Sequence, residues 1–117
     1  MHRVAMYSPR MTEQALFILA SLAQGDLHGY GIARDVEELS DGRIRLTAGT
    51  IYGALNRLSD DGLVAPAGEQ EVQGRRRRYY RLTPAGHSVL TAEVERLRSA
   101  AAALGTRVSA RPSPRLA

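Results

Sequence analysis

The chain has 117 residues, no cysteine, and 16 basic against 12 acidic residues, which gives a formal net charge of +4. A chain of this length predicts one domain, and the absence of cysteine excludes disulfides and thiol-based redox sensing. No apolar run approaches the roughly 18 residues of a membrane-spanning helix, and no signal-peptide pattern follows the N-terminus, so we expect a cytoplasmic protein that does not bind membranes.

The basic residues are all arginine, and they are unevenly distributed along the chain. Residues 75–81 contain five arginines and no acid, while residues 1–12 and 105–117 contain two and three arginines without an acid. Without these ten, six arginines remain against 12 acidic residues, a balance of −6. An acidic body with one basic strip and two basic tails suits a partner that presents phosphates at one place.

Two helices are predicted at the start of the chain. Thr12 is a suitable N-cap for the first, which is apolar all round over residues 15–20 and is expected to stop at Gly25. The second is predicted over 29–39, and His28 at its start is expected to cap it or pack against it. Its apolar face comprises Ile32, Val36 and Leu39.

A third helix is predicted over residues 48–60, with Thr47 as its N-cap. It is preceded by the alternating segment 43–46, which predicts a short strand. Two further strands are predicted over 63–67 and 77–82. They form a hairpin, the wing, in which Tyr80 is expected to belong to the core because it shares the parity of Leu82.

A last helix begins at Thr83-Pro84, since proline is favoured at the first helical position. Apolar residues recur along it at heptad spacing and predict a dimer seam, against which the first helix of the partner packs. From Gly105 onward, the composition predicts a disordered tail. The predicted dimer interface comprises Leu16, Phe17, Leu90, Val94, Leu97, Ala101 and Leu104.

Three compact helices followed by a hairpin indicate a winged helix-turn-helix. The expected fold class is mostly α with a small β-hairpin, extended by a long C-terminal dimerisation helix. The predicted division is a flexible arm over 1–11, the DNA-binding domain over 12–83, the dimerisation helix over 84–104 and a disordered basic tail over 105–117.

Two segments are candidates for contact with nucleic acid. The start of the third helix offers small and hydrogen-bonding residues at a terminus that favours phosphate, and Asn56 and Arg57 can pair with adenine and guanine edges. An ordinary amphipathic helix explains this face equally well. The four consecutive arginines 75–78 repel one another, so they are better explained by binding to a polyanion than by a contribution to the stability of the fold. The alternative is a solvated hairpin in an arginine-biased proteome.

Four linked motifs resemble one family. Residues 27–32 read LHGYGI, 49–58 read GTIYGALNRL, 61–64 read DGLV and 74–86 read GRRRRYYRLTPAG. Over residues 14–104 the chain is similar to the PadR-like family of transcription regulators. The resemblance implies a homodimer that binds a pseudo-palindromic operator in double-stranded DNA, represses target promoters and releases DNA on binding a small molecule.

The residues expected to contact DNA lie in the first motif, on the third helix and in the wing: Tyr30, Thr47, Gly49, Thr50, Tyr52, Gly53, Asn56, Arg57, Gly74, Arg75, Arg76, Arg77 and Arg78. We expect the wing arginines to bind phosphate rather than to read bases.

An effector is expected in an apolar cavity near the dimer axis, where a small apolar or aromatic molecule would bind. Its predicted lining is Phe17, Leu16, Leu97 and Val94, with Tyr7 or Arg98 as a polar edge. The chain has no tryptophan, so it lacks the tryptophan sandwich of the family's drug-binding members. A closed coiled-coil interface without a cavity is the alternative.

We expect no bound metal, no cofactor and no enzymatic activity. His2, His28 and His87 do not have metal-ligand spacing, and no paired carboxylates stand out. The alternative function is a protein-interaction module that uses the heptad helix and the arginines of the wing to bind an acidic partner protein. DNA binding differs from it by requiring that the third helix and the wing form one continuous surface.

Overall fold

The computed structural model describes residues 11–114. In this range it has four helices and a three-stranded antiparallel sheet of order β1-β3-β2. The elements are α1 (Glu13–Ser21), β1 (Leu27–His28), α2 (Gly29–Leu39), α3 (Ala48–Asp60), β2 (Val64–Val72), β3 (Arg75–Leu82) and α4 (Pro84–Ser109). This arrangement confirms the predicted winged-helix fold with a long C-terminal helix. Residues 1–10 of the predicted N-terminal arm, including Tyr7, lie outside the described residues.

Each helix begins at a side chain that accepts a hydrogen bond from a backbone N–H three residues further on, which satisfies one of the unpaired donors of the first turn. The acceptors are the hydroxyls of Thr12, Thr47 and Thr83 and Nδ1 of His28. Because the caps define the starts, α2 and α3 have the predicted bounds.

The hydrophobic core receives side chains from all four helices and from β2 and β3. Its most deeply buried members are Ile18, Leu19, Ile32, Val36, Ile51, Leu55 and Val64. Tyr80 is only 5% exposed, as its parity with Leu82 predicted. Leu39, predicted on the apolar face of α2, is instead 53% exposed. Ser40 takes the buried place at this end of α2, where its hydroxyl accepts a hydrogen bond from the backbone N–H of Ile44 at 2.9 Å.

The strand predicted over 43–46 is wrong, because this segment has no strand assignment. Its alternation reflects one-sided burial, since Ile44 is 8% exposed while Arg43 points outward to an ion pair with Glu13 at 2.8 Å. The third strand is instead β1, which pairs with β3 through Leu27 opposite Tyr80 and His28 opposite Tyr79.

Several predicted ends also differ from the structure. Strand β3 begins at Arg75 rather than at residue 77. Helix α1 ends at Ser21 rather than near Gly25. Strand β2 continues past Gly68, which sits with a positive φ of 99° in a bulge, so the hairpin turn is the pair Gln73-Gly74. Helix α4 continues through Gly105 to Ser109, because one helical glycine costs only about 1 kcal/mol relative to alanine and the preceding residues are alanine-rich.

Only the first part of α4 packs on the rest of the chain. Gly86, Leu90 and Glu93 are its buried residues, and every described residue beyond Glu93 is exposed. Leu90, predicted in the dimer interface, lies in the core of its own chain at 9% exposure. The exposed apolar residues that remain, called the α4 seam below, are Val94, Leu97, Ala101, Leu104 and Val108. No helix in the described range is long and apolar enough to cross a membrane.

Candidate nucleic-acid interface

Helix α3 buries one face and presents the other to solvent. Ile51, Ala54, Leu55 and Leu58 point into the core. The predicted contact residues lie on the opposite side: Thr47, Gly49, Thr50, Tyr52, Asn56 and Arg57 are exposed, and Gly53 is half-buried. Space beside Gly49 is open, with no atom within 4 Å of where a Cβ would lie. A groove of nucleic acid can therefore approach the start of this helix closely.

The wing, formed by β2 and β3, adjoins α3. Arg76 and Arg78 of β3 and Glu69 of β2 line one surface depression together with Tyr52 of α3. Alternate residues of a strand share a face, so Arg76, Arg78 and the buried Tyr80 lie on the side of the sheet that meets the helices. The exposed residues of α3 and this face of the wing therefore form one continuous surface.

The other face of the wing meets the start of α2. The guanidinium carbon of Arg77 lies 5.8 Å from the centre of the Tyr30 ring, and that of Arg34 lies at the same distance from this ring. Tyr30 is 57% exposed, so two cations flank an accessible aromatic ring, an attractive cation–π geometry. The Nε of Arg77 is buried and has no hydrogen-bond partner among the described residues. Arg77 is therefore held by packing, unlike the exposed Arg75 and Arg78.

His28 joins β1 to α2 at this corner. Its Nδ1 accepts a hydrogen bond from the Gly31 N–H at 3.1 Å, and the edge of one ring meets the face of the other between His28 and Tyr79, with centroids 5.2 Å apart. Burial lowers the pKa of His28, and the nearby charge of Arg77 lowers that pKa further. Both effects favour the neutral imidazole, which is the form that can accept the capping bond.

Two motif glycines have packing roles that sequence reasoning missed. A Cβ on Gly29 would lie 2.8 Å from Oη of Tyr52, so the first motif and α3 touch at this point. A Cβ on Gly86 would overlap the backbone carbonyl oxygen of Leu63. No periodicity in the sequence signals these contacts, because each depends on an element distant along the chain.

Sequence reasoning also missed the acidic residues of β2, because they lie outside the basic segment 75–81 and only strand pairing brings them beside it. Glu69 pairs across the strands with Arg78, and Glu71 pairs with Arg76. An ion pair joins Oε1 of Glu69 to Nε of Arg76 at 3.0 Å. The basic strip is therefore partly neutralised on one face.

The residues predicted to line an effector cavity lie on two helices that contact one another, α1 and α4. Phe17 of α1 is half-buried, whereas Val94 and Leu97 of α4 are 40% and 45% exposed, and Arg98 is exposed. Within residues 11–114, no group of three or more histidine, cysteine or acidic side chains could hold a metal ion.

Comparison with known proteins gives a consistent set of relatives. The family model described as the transcriptional regulator PadR-like family matches residues 18–92. The chain is 42% identical over 84 residues to an uncharacterized 37.1 kDa protein in transposon TN4556 of Streptomyces fradiae, an alignment that spans 72% of this chain but only 23% of that protein. It is also 42% identical over 76 residues to transcriptional regulator Rv3488 of Mycobacterium tuberculosis, which spans 65% of this chain and 67% of the relative.

Solved structures resemble this fold as well. A PadR family transcription regulator from Clostridium difficile R20291 matches with a TM-score of 0.70 and 25% identity, over 84% of this chain and 100% of that one. Bacillus subtilis PadR, solved in complex with operator DNA, matches with a TM-score of 0.59 and 23% identity, over 88% of this chain and 51% of that one. The second likeness is one of fold.

Proposed function

We propose that this chain, which belongs to the PadR-like family of transcriptional regulators, acts as a repressor that binds an operator as a homodimer. The family regulates transcription, and its members are not enzymes. The observation that carries the proposal is the continuity between α3 and the wing, where Tyr52, Arg76 and Arg78 line one depression. A protein-interaction module does not require this continuity, whereas a winged helix on DNA does.

In this proposal α3 enters the major groove and reads bases. Asn56 and Arg57 are exposed on it and can make bidentate contacts with adenine and guanine. Thr47, Gly49 and Thr50 bring the positive start of the helix close to the phosphate backbone.

The remaining contacts position the protein without reading sequence. Arg75 and Arg78 are exposed on opposite faces of the wing, and Gly74 at its tip has a positive φ of 77° that suits a tight turn. Arg77, held over Tyr30, presents its outer N–H groups to a phosphate with little side-chain entropy left to lose. These arginines supply affinity that depends on salt concentration.

Homodimerisation is proposed through the α4 seam. Its five apolar residues recur at spacings of three and four and are exposed on a single chain, which is the pattern of a helix that packs against a second helix. A pseudo-palindromic operator then follows from the two-fold symmetry of such a dimer.

We further propose that a small apolar or aromatic effector binds between α1 and α4 of the dimer, against Phe17, Val94, Leu97 and Arg98. An apolar lining with one polar group suits a small-molecule pocket. The effector would release DNA by favouring an arrangement in which the two recognition helices no longer match adjacent major grooves. A dimer structure with interdigitated side chains and no central void would refute this part alone.

Selection from random double-stranded DNA with the purified full chain, followed by footprinting, tests the proposed function. We expect an inverted repeat whose half-sites lie about one helical turn, roughly 34–36 Å, apart. The double variant Asn56→Ala/Arg57→Ala should lose this preference, while Glu95→Gln on the exposed face of α4 serves as a matched surface control. Failure to enrich any sequence would contradict sequence-specific DNA binding.

A further inference from the structure

The two faces of the wing carry different net charges, although β3 is almost uniformly basic. Directly opposed residues of an antiparallel pair share a face, and the register sets Glu69 opposite Arg78 and Glu71 opposite Arg76. The face that adjoins Tyr52 therefore carries two arginines and two glutamates, a sum of zero.

The opposite face has no such compensation near the tip of the wing. Gln70 lies opposite Arg77, and Val72 lies opposite Arg75. These two arginines have no acid across the strands, and the face carries a charge of +2 there. The neutral face is thus the one beside the recognition helix, where phosphates of bound DNA are expected.

Within the neutral face, one arginine has a defined carboxylate partner. Nε of Arg76 donates to Oε1 of Glu69 at 3.0 Å, and the two side chains are 73% and 46% exposed. An exposed pair of this kind is weak, equivalent to at most about a fivefold change in an equilibrium constant. A phosphate can therefore displace the carboxylate, but it must compete with Glu69 to reach Arg76.

We propose that Glu69 is an affinity-limiting residue that occupies Arg76 in the free protein and competes with the phosphate backbone of double-stranded DNA. The inference rests on the DNA-binding function proposed above. A phosphate reaches Arg76 only after the ion pair breaks, and the displaced carboxylate then remains close to the polyanion. Because phosphates carry no sequence information, Glu69 weakens binding to all sequences alike and keeps the complex easier to dissociate.

The test compares Glu69→Gln with wild type on the selected operator and on an unrelated duplex, across a series of salt concentrations. We expect Glu69→Gln to bind both duplexes about twofold to fivefold more tightly. The slope of log affinity against log salt should steepen by up to about one unit, because Arg76 contacts a phosphate in a larger share of the complexes. Unchanged affinity and slope would overturn the proposal, as would tightening on the operator alone.

Glu71→Gln is the matched control, because it removes the same charge from the same face, while Glu71 has no ion pair with any residue in the range 11–114. We expect Glu71→Gln to raise affinity by less than half of the fold-change seen with Glu69→Gln. In an Arg76→Ala background, Glu69→Gln should give no more than this smaller gain. An equal gain from Glu71→Gln, or the full gain of Glu69→Gln in the absence of Arg76, would overturn the role of the pair. If neither wild type nor Glu69→Gln binds any duplex, the proposed function itself fails, whereas DNA binding that is insensitive to Glu69 removes this inference only.

Discussion

Gly86→Ala should destabilise the fold through one atom. The added Cβ would overlap the carbonyl oxygen of Leu63 and lie 2.8 Å from Cδ1 of Leu82. The carbonyl cannot move aside easily, because it accepts a hydrogen bond from the Thr83 N–H at 3.1 Å. Helix α4 must therefore shift outward and loosen the packing of Leu90, which is buried in the core.

The expected magnitude follows from three opposing contributions. Overpacking against a well-filled site costs about 1–3 kcal/mol, and losing part of the burial of a leucine costs a share of about 1.5–3 kcal/mol. Alanine regains about 1 kcal/mol of helix propensity over glycine. We expect a net loss of about 2–4 kcal/mol in the free energy of unfolding, which for a chain of this size lowers Tm by roughly 10 °C.

Thermal and urea unfolding followed by circular dichroism measure this loss. Gly105→Ala is the matched control on the same helix, since no atom lies within 4 Å of its Cβ position, and it should leave stability unchanged or raise it by up to about 1 kcal/mol. A Gly86→Ala protein that melts within about 3 °C of wild type would refute the close packing of α4 on Leu63.

Three further predictions concern the dimer, the recognition helix and pH. Leu97→Glu should give monomers or aggregates in sedimentation experiments, because it places a charge in the proposed seam. Leu97 is already about half-buried in one chain, so its burial in a dimer contributes only part of about 1.5–3 kcal/mol. A wild-type chain that is monomeric at micromolar concentration would contradict the seam. Asn56→Ala should change which bases are preferred in a panel of operator variants, whereas Arg77→Ala should weaken binding to every sequence by a similar factor; the reverse outcome would exchange their roles. The pKa of His28 is lowered below its usual 6.5, so the folded state binds fewer protons than the unfolded state, and the stability from its neutral cap should be present above pH 6.5 and fall as the pH drops below it. A His28→Asn variant keeps a capping acceptor and should show a smaller loss of Tm between about pH 7.5 and 5.5. Identical pH profiles for the two proteins would remove His28 as the cause.

Local signals explain which parts of the fold could be predicted. The bounds of α2 and α3 follow from capping residues and apolar periodicity that lie within each segment. Strand β1 has only two residues and forms because it pairs with β3, about fifty positions further along the chain. No pattern within those two residues therefore predicts a strand. The segment 43–46 shows the converse, since alternation alone cannot distinguish a paired strand from an extended loop that rests on the core.

The candidate site divides in the same way. Exposure of Asn56, Arg57 and Tyr52 follows from the helical period, which puts Ile51 and Leu55 on the opposite side. The partnership of Glu69 with Arg76 depends on a bulge that shifts the register between Pro66 and Glu69, and sequence periodicity does not reveal such a shift.

The junction between α3 and α4 has a mechanical consequence. The Thr83 hydroxyl, at the start of α4, donates a hydrogen bond to the carbonyl of Gly62 at 2.6 Å. Gly62 lies only two residues after α3 ends at Asp60, so this bond joins the start of α4 directly to the end of α3. At 1.5 Å per residue α4 is a lever about 39 Å long, and a tilt of roughly 10° about its start moves its far end by about 7 Å. In the dimer proposed above, we expect a change in the crossing angle of the two α4 helices to change the separation and orientation of the two α3 helices. Such a change would alter how they match successive turns of the duplex.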